Sequence, residues 1–408
     1  MSAGTAPYPF VEPGEIRPRF KVAAVTGTNG KTSTTTMIAS IVRHSGEHSA
    51  RLTTVGAWVD DTELTSPSPS ELFFDWLSLA VLRDVKTLAL EVTSKALVYG
   101  FAQRFPADVA VFTNLTRDHI EAHGSPEAYL AAKAQLFMTL PDGGLAVLNA
   151  DDPSARLIDE VTPASVRRLW YSTAGAEADL VATRIEVSPE GTRIALAATP
   201  LGLALRQLEI PMVGVVQAAN ALAAALAAHA LGYSPPAIGR GLAGSATVPG
   251  RFSIIHREPT VVVDYAHTPD GLRGTLESAR RLTTPPGRVW CVFGCGGERD
   301  RAKRPEMGAV AAELADRVIL TTDNPRSEDP RSIVEQIAAG VPASFGQLAI
   351  CLDRRAAIAL AIGSAATDDV VIVAGKGHES GQEVDDAVLP FSDFEVVSDA
   401  LQAARITR

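Results

Sequence analysis

The stretch Val22-Ala23-Ala24-Val25-Thr26-Gly27-Thr28-Asn29-Gly30-Lys31-Thr32 decides how this chain folds and what kind of ligand it holds. Its apolar run predicts a buried parallel strand, and its glycines predict a tight turn into a helix over Thr32–Ser45. Such a turn aims backbone N–H groups and the helix dipole at one point, which suits a phosphate. A plain glycine turn is the alternative. The full motif favours an ATP or GTP site made by Gly27, Thr28, Asn29, Gly30, Lys31 and Thr32.

On both sides of this motif, apolar strands alternate with helical patterns. The predicted buried strands are Lys21–Thr26, Thr87–Glu91, Val109–Thr113, Leu145–Asn149, Thr260–Asp264, Val289–Phe293, Arg317–Thr321 and Asp369–Ala374. Ser125 and Pro126 predict the start of a helix over Pro126–Thr139. Segment 180–210 predicts an antiparallel hairpin in a small side sheet.

Strand-to-helix alternation predicts an α/β fold with ligands at the carboxyl ends of the strands. We expect two doubly wound domains: a central P-loop ATPase domain with the small antiparallel side sheet, and a C-terminal Rossmann-like domain. The predicted boundaries are a leader at 1–20, the central ATP-binding domain at 21–247 and the C-terminal, acceptor-binding domain at 248–408.

Composition narrows the class of protein. A net charge of −10 and a pI near 5.4 argue against a nucleic-acid binder but leave small phosphorylated substrates open. There is no signal-peptide pattern and no run of eighteen apolar residues, so we expect no membrane insertion and a cytoplasmic location. Three cysteines suit a reducing compartment. The apolar surroundings of Cys291 and Cys295 favour buried strand positions over a pair of metal ligands. We expect the chain to be a monomer or homodimer.

Three side chains beyond the loop favour metal and acyl-transfer chemistry. Glu91 ends one predicted strand, His119 follows the next, and Lys133 lies in the middle of a helix. Taken alone, each has an ordinary explanation: an ion pair for Glu91, a capped turn for His119 and a solvated helix position for Lys133. Together, oxygen and imidazole ligands can hold two Mg²⁺ ions between ATP and an incoming carboxylate.

The loop Gly-Thr-Asn-Gly-Lys-Thr has two residues between its glycines instead of four, and in this it resembles the Mur ligase family and its relative folylpolyglutamate synthetase. The resemblance implies ATP and two Mg²⁺ ions as cofactors. The implied metal-binding residues are Thr32, Glu91, His119 and Lys133, with Lys133 carried as a carbamate. The implied catalytic residues are Lys31, Glu91, His119 and Lys133. Asn220 matches the family's adenine-contacting asparagine.

The second half of the chain carries motifs that resemble the family's C-terminal domain, which closes over ATP and delivers the amine. Arg251 and Asp264 would contact the nucleotide. Asp323-Asn324-Pro325-Arg326 and Gly375-Lys376-Gly377-His378-Glu379 resemble the UDP-N-acetylmuramoyl-tripeptide synthetase branch, in its meso-diaminopimelate-adding form. The implied acceptor pocket is Arg299, Asp323, Asn324, Arg326, Gly375 and Glu379. Arg326 suits a carboxylate, and Glu379 and Asp323 suit an ammonium group. A turn and a glycine loop are the alternative reading.

On the donor side the resemblance is incomplete. Thr65 and Ser66 resemble the family's donor loop, but Ser94 is followed by Lys95 where histidine is usual, and Phe101 stands where arginine is usual. Lys95 either contacts a different anionic donor or forms an ion pair. Only twenty residues precede the first strand, so we expect the family's N-terminal UDP-binding domain to be lacking.

These observations predict an ADP-forming carboxylate–amine ligase that works through an acyl phosphate. It would join an amino acid, diaminopimelate-like or other, to a non-UDP or smaller carboxylate donor. Its partners would be these small molecules. The alternatives are a tripeptide synthetase without its UDP domain, a folylpolyglutamate-type ligase, and a non-catalytic nucleotide-binding partner.

Overall fold

The computed structural model describes residues 19–407, which form two large sheets, one in each half of the chain, and a separate two-stranded sheet. The predicted leader falls almost wholly outside the described residues. The strands are β1 (Lys21–Thr26), β2 (Ser49–Thr53), β3 (Gly56–Val59), β4 (Thr62–Leu64), β5 (Thr87–Glu91), β6 (Val109–Phe112), β7 (Leu145–Asn149), β8 (Arg167–Ser172), β9 (Leu180–Ser188), β10 (Gly191–Leu196), β11 (Gln207–Ile210), β12 (Ser253–Arg257), β13 (Thr260–Asp264), β14 (Val289–Phe293), β15 (Arg317–Leu320), β16 (Leu348–Ile350), β17 (Val370–Ala374), β18 (Gly381–Val384) and β19 (Ala387–Pro390).

Helices cover both faces of these sheets. They are α1 (Lys31–His44), α2 (Pro69–Leu82), α3 (Ser94–Val98), α4 (Phe101–Arg104), α5 (Ile120–His123), α6 (Pro126–Met138), α7 (Ser154–Val161), α8 (Val215–Ala230), α9 (Pro235–Ala243), α10 (Pro269–Leu282), α11 (Lys303–Leu314), α12 (Pro330–Ala338), α13 (Arg354–Ser364) and α14 (Asp393–Thr407). Among the described residues, no helix has the length and apolar character needed to cross a bilayer.

The first sheet has the strand order β11-β10-β9-β8-β7-β6-β1-β5-β2-β3-β4. Its strands from β8 to β2 are parallel. After β1 the chain runs to one side for β2 and β5 and to the other side for β6 and β7. Parallel sheets bind ligands outside such a reversal of strand order. The phosphate loop leaves β1 at this point, so the topology places the loop in the crevice.

The second sheet has the order β12-β13-β17-β14-β15-β16 and is parallel except for β12. Buried aliphatic clusters lie on both faces of each sheet. The alanine-rich helix α8 is almost completely buried and packs against α1. Cys291 and Cys295 are buried and unpaired, as predicted for apolar strand and strand-end positions.

The predicted α/β fold class is confirmed, with small differences at element ends. The hairpin of β9 and β10 is not a separate side sheet, because β9 pairs with the end of β8 through Tyr171–Leu180 and Ser172–Val181. β6 ends at Phe112 rather than at Thr113, because the Thr113 hydroxyl turns toward the phosphate loop and donates to the Asn29 carbonyl at 2.6 Å.

Candidate active site

The phosphate loop runs between β1 and α1 and requires glycine at both its glycine positions. Gly27 has φ 148° and Gly30 has φ 86°, backbone conformations that residues with a Cβ rarely adopt. A Cβ on Gly27 would lie 1.8 Å from the Thr113 hydroxyl oxygen, and one on Gly30 would lie 2.2 Å from Asn220 Oδ1. The loop is therefore shaped by close approach of β6 and α8 as well as by its own turn.

The segment after β6 holds this loop in place. The backbone N–H of Thr28 donates to the Asn114 carbonyl at 2.8 Å, and the N–H of Asn29 donates to Asn114 Oδ1 at 2.9 Å. The first N–H groups of α1 have no carbonyl partner within the helix, so they are the donors left for a phosphate. These hydrogen bonds to Asn114 fix the conformation of the phosphate loop without a ligand.

Two lysines converge on one carbonyl of the loop. Lys31 Nζ donates to Thr28 O at 2.7 Å and Gly27 O at 3.1 Å, and Lys133 Nζ donates to Gly27 O at 2.7 Å. Lys133 is 1% exposed and its ammonium lies 4.1 Å from the centre of the Tyr129 ring. Burial, and then the positive charge of Lys31, lower the pKa of Lys133 well below its ordinary value. An anion placed between these cations would relieve both effects.

Glu91 lies at the carboxyl end of β5, beside the start of α1. Its Oε2 accepts from the Thr32 hydroxyl at 2.8 Å and from the Thr54 backbone N–H at 3.1 Å. The Thr54 hydroxyl contacts both carboxylate oxygens at 3.2 Å. A carboxylate and a hydroxyl at the foot of a phosphate loop are hard oxygen ligands of the type that Mg²⁺ prefers.

His119 stands apart from Glu91 but faces the same cavity. It has φ 54° and its Nε2 lies 3.5 Å from Asp118 Oδ2. A second imidazole, His267 Nε2, lies 3.6 Å from the same oxygen. Burial would raise the pKa of Asp118, but its contact with His267 and the charges of His119 and Lys303 hold the pKa well below its usual range. Within residues 19–407, no cluster of three or more His, Cys, Asp or Glu side chains is disposed to hold a metal.

Contacts between the two sheets' domains close the cavity. Asp118 belongs to the first half of the chain and His267 to the second. Arg117 reinforces this contact, because its Nε lies 2.6 Å from Asp300 and its Nη1 lies 2.9 Å from Glu306. The two halves therefore meet beside the phosphate loop, where Asn29 Nδ2 also lies 3.4 Å from Asp270 Oδ2.

The predicted nucleotide-binding residues of α8 and the second half line the same cavity as the loop. Asn220 Nδ2 donates to Gln217 Oε1 at 3.0 Å, and both side chains are buried. The guanidinium of Arg251 lies 4.4 Å from the centre of the Tyr265 ring. Asp264 accepts from Phe252 N, Ala266 N and the Thr275 hydroxyl at 2.6–2.9 Å. Its carboxylate organises the loop after β13, and this occupies both of its oxygens.

One cavity of about 1070 Å³ collects most of the predicted site. Of the predicted residues, it is lined by Thr28, Asn29, Gly30, Lys31, Thr32, Glu91, Ser94, Lys95, His119, Lys133, Asn220, Arg251 and Asp264. Gly27 lies directly behind this lining. Of the donor residues, Ser94 Oγ lies 3.0 Å from His123 Nε2, and Lys95 is exposed at the wall. Thr65 and Ser66 lie outside the lining, and Ser66 donates to Asp75.

The predicted acceptor residues form a separate polar cluster at the carboxyl ends of β15 and β17. Buried Lys376 donates to Asn324 Oδ1 at 2.9 Å and to Glu379 Oε2 at 3.0 Å. Asn324 Nδ2 also donates to Glu379, at 2.9 Å. A Cβ on Gly375 would lie 2.4 Å from Asp323 Oδ2, so glycine allows this carboxylate to pack against the loop.

Arg326 borders the same cluster, and some of its guanidinium N–H groups already have partners within the protein. Its Nη1 donates to the Gly297 carbonyl at 2.8 Å and its Nε lies 2.6 Å from Glu383 in β18. Arg299 is exposed beside it. The structure therefore brings Asp323, Asn324, Arg326, Gly375 and Glu379 together, with Arg299 at the rim.

Sequence reasoning missed several side chains that shape the cavity. Tyr129 lies one helical turn before Lys133 on α6, and this spacing was a usable signal for its contact with the ammonium. Asp118 directly precedes His119 and His267 follows Asp264 by three residues, but nothing in the sequence indicated that the two side chains meet across the domain contact. Thr54, which binds Glu91, gave no signal at all.

Comparison with known proteins agrees with this geometry. Residues 25–228 match the Mur ligase middle domain, and residues 250–377 match the Mur ligase glutamate ligase domain. A UDP-N-acetylmuramoyl-L-alanyl-D-glutamate–2,6-diaminopimelate ligase from Alkalilimnicola ehrlichii is 42% identical over 95% of this chain and 78% of its own length. The enzyme of that name from Synechococcus elongatus is 41% identical over 92% and 75%.

Solved structures give the same result. A structure of a UDP-N-acetylmuramoyl-L-alanyl-D-glutamate–2,6-diaminopimelate ligase has a TM-score of 0.66 and 33% identity, covering 96% of this chain and 80% of its own. Mycobacterium tuberculosis folylpolyglutamate synthase has a TM-score of 0.70 at 19% identity over 89% of each chain, which shows a shared fold. The prediction that a UDP-binding domain is lacking is not confirmed by these matches. Because two family domains and relatives above 40% identity cover this loop and cavity, the chain belongs to the Mur ligase family of ATP-dependent amide-bond ligases.

Proposed function

We propose that this protein joins a diaminopimelate-like amino acid to a carboxylate donor through an acyl phosphate, with ATP converted to ADP. The observation that carries the proposal is the convergence of Lys31 and Lys133 on the Gly27 carbonyl, next to the Thr32–Glu91 pair. The Lys31 ammonium and metal-binding side chains at one phosphate loop serve a reaction between two anions, the γ-phosphate and a carboxylate.

Mur ligases use ATP and Mg²⁺, and the chemistry of the side chains here fits a metal. Thr32 and Glu91 would hold one Mg²⁺, and His119 with Lys133 would hold a second. When bound, Mg²⁺ lowers the repulsion between the phosphate and the donor carboxylate. Burial lowers the pKa of Lys133 and so favours its neutral amine, the form that reacts with carbon dioxide, and this supports a carbamate at Lys133.

The chain's own residues then carry out distinct tasks. The helix N-terminus and Lys31 bind the phosphates, and Asn220 and Arg251 orient the nucleotide. The donor carboxylate attacks the γ-phosphorus in line and ADP leaves. The amine, brought from the second half, attacks the acyl carbon, and phosphate leaves as the amide forms. The contacts of Arg117 and Asp118 across the two halves keep water out during these steps.

The acceptor assignment rests on the polar cluster at β15 and β17. Arg326 would bind a carboxylate with its remaining guanidinium N–H groups, and Glu379 with Asp323 would bind an ammonium group. This set of charges matches the far end of a diamino diacid. Relatives at 42% and 41% identity that are named as 2,6-diaminopimelate ligases support the same choice.

The donor is either the nucleotide-linked muramoyl dipeptide of those relatives or a smaller acid without UDP. Exposed Lys95 on the cavity wall favours the second, because it adds a cation where the family usually has histidine. Phe101 favours it as well, since its ring packs on Phe73 and Phe105 at 5.8 and 5.9 Å and offers no charge to a donor.

We further propose that the domain boundary lies near residue 248, and that the three free cysteines reflect a cytoplasmic location. The experiment that tests the activity is phosphate release from ATP and Mg²⁺ with paired substrates. The donors are UDP-N-acetylmuramoyl-L-alanyl-D-glutamate and L-alanyl-D-glutamate, and the acceptors are meso-diaminopimelate and lysine. Release that requires both a donor and an acceptor is expected. No release with any pair would favour a non-catalytic nucleotide-binding role.

A further inference from the structure

The strand ends that carry the acceptor cluster share one buried ion pair that the reaction itself does not use. Arg354 begins α13 and Asp393 begins α14, and both side chains are 0% exposed. Arg354 Nε donates to Asp393 Oδ1 at 2.8 Å, and Nη2 donates to Oδ2 at 2.7 Å. Burying such a pair has a desolvation cost that apolar side chains would not incur, so its presence calls for a second role.

The guanidinium also holds the two acceptor loops. Nη2 donates to the Ala374 carbonyl at 2.9 Å, immediately before Gly375, and Nη1 approaches the Thr322 carbonyl at 3.4 Å, immediately before Asp323. Burial would lower the pKa of Arg354, but Asp393 first, and then Asp323 and Glu379, raise it above its ordinary value. One planar cation therefore fixes the distance between the two loops that hold the acceptor charges.

Asp393 connects the same ion pair to the β18–β19 hairpin, which also borders the acceptor cluster. The chain runs from Glu379 through the β18–β19 hairpin and returns to Asp393 three residues after Pro390. The hairpin contacts Arg326 through its backbone, with Arg326 N donating to Glu383 O and Asp385 N donating to Arg326 O. The loop with Asp323, the loop with Gly375 and the returning hairpin are all tied to the Arg354–Asp393 pair.

We propose that Arg354 and Asp393 are positioning residues that set the affinity for the acceptor amino acid, without contributing to ATP or donor activation. The inference rests on the proposed function, because it assigns this pair to the acceptor half of that reaction. A rigid fork of N–H groups is required, since a lysine ammonium cannot bind the carboxylate and both carbonyls in one plane.

The test uses the full chain with Arg354→Met and Asp393→Leu combined. This variant removes both charges and fills their space with apolar side chains. The matched control combines Arg168→Met and Asp159→Leu. Arg168 also binds an aspartate and backbone carbonyls, those of Thr162, Pro163 and Val166, but in the first half of the chain. Arg354→Lys is a third variant that retains charge. For each we would measure the KM values of ATP and acceptor, the melting temperature, and hydroxamate formation when hydroxylamine replaces the acceptor.

We expect the double variant to raise the acceptor KM about tenfold or more, the effect of losing one or two charge-assisted hydrogen bonds. Hydroxamate formation and the ATP KM should stay within about twofold of the control pair's values. Arg354→Lys should give an intermediate acceptor KM. An unchanged acceptor KM, or a loss of hydroxamate equal to the loss of amide, would overturn the inference. If the unsubstituted protein forms no hydroxamate with ATP and any donor, the proposed function fails instead.

Discussion

The phosphate cavity and the acceptor cluster are both built at the carboxyl ends of parallel strands, but by different means. The cavity is shaped by backbone: Gly27 and Gly30 lie against Thr113 and Asn220, and its lysines bond to carbonyls of the loop. The acceptor cluster is shaped by polar and charged side chains that bond to each other, such as Asn324, Lys376 and Glu379. A backbone site suits a phosphate common to many enzymes, whereas a site made of side chains suits the selection of one amino acid.

The largest effect is expected when the phosphate cavity loses Lys133. Lys133→Ala should reduce kcat about a thousandfold, because the buried side chain proposed to carry the carbamate that holds the second Mg²⁺ is removed. The dissociation constant of ATP should change far less, since the loop is held by Asn114 and Thr113. Single-turnover kinetics and calorimetry with ATP measure the two quantities. Lys86→Ala, at an exposed lysine paired with Asp84, is the control. Unchanged turnover would refute the role of Lys133.

A smaller loss is expected for Glu91→Gln. We expect about a hundredfold loss of activity at low Mg²⁺, partly recovered at high Mg²⁺, because an amide retains the contact with Thr32 but is a weaker metal ligand. Titration of the rate with Mg²⁺ is the measurement, and Glu71→Gln in α2 is the control. A Mg²⁺ dependence identical to that of the unsubstituted protein would place the metal elsewhere.

Substitutions in the acceptor cluster should raise the KM of the acceptor amino acid and leave the reaction of ATP with the donor unchanged. Arg326→Ala should raise the acceptor KM about ten- to a hundredfold, the loss expected for a charged hydrogen-bonding partner. The ATP KM should stay constant, which distinguishes the two regions. Arg331→Ala, at the exposed start of α12, is the control. An acceptor KM that does not move would shift the acceptor pocket away from Arg326.

The smallest effect concerns stability in acid. Glu328 accepts from fully buried Arg304 through both oxygens, and this contact lowers the pKa of Glu328 to about 2. A carboxylate whose pKa is lower in the folded than in the unfolded protein stabilises the fold at every pH above the unfolded pKa, which is near 4.3. This contribution is lost as the pH falls toward 2. Glu328→Gln should cost about 1–3 kcal/mol at neutral pH and flatten the pH dependence of unfolding between about 5 and 2. Denaturant titrations would measure both, and an unaltered acid profile would contradict the assignment.

Much of the fold followed from the sequence because the parallel strands are continuous apolar runs with polar ends. The strands at Lys21–Thr26, Leu145–Asn149 and Val289–Phe293 have the predicted bounds. The phosphate cavity was also predictable, since Glu91 ends one such strand and His119 follows the next. The edge pairing of β9 with β8 was not, because two residue pairs leave no pattern in a sequence.

What the sequence did not indicate lies in contacts between distant segments. The Asp118–His267 contact joins residues far apart in the chain, and neither residue shows its partner in its local pattern. Arg354 and Asp393 each begin a helix, and an aspartate at the start of a helix is ordinarily interpreted as an N-terminal cap. Thr65 and Ser66 had a motif-like local sequence, yet they lie outside the cavity lining because the β3–β4 hairpin carries them away.

The most direct test of the account follows oxygen from the donor to phosphate. The donor carboxylate is labelled with ¹⁸O, the reaction is run with ATP, Mg²⁺ and meso-diaminopimelate, and the phosphate released is analysed by mass spectrometry. Attack of the carboxylate on the γ-phosphate beside Lys31 and Lys133 predicts one ¹⁸O atom in each phosphate that accompanies an amide. Amide formation with unlabelled phosphate would contradict an acyl phosphate formed in this cavity.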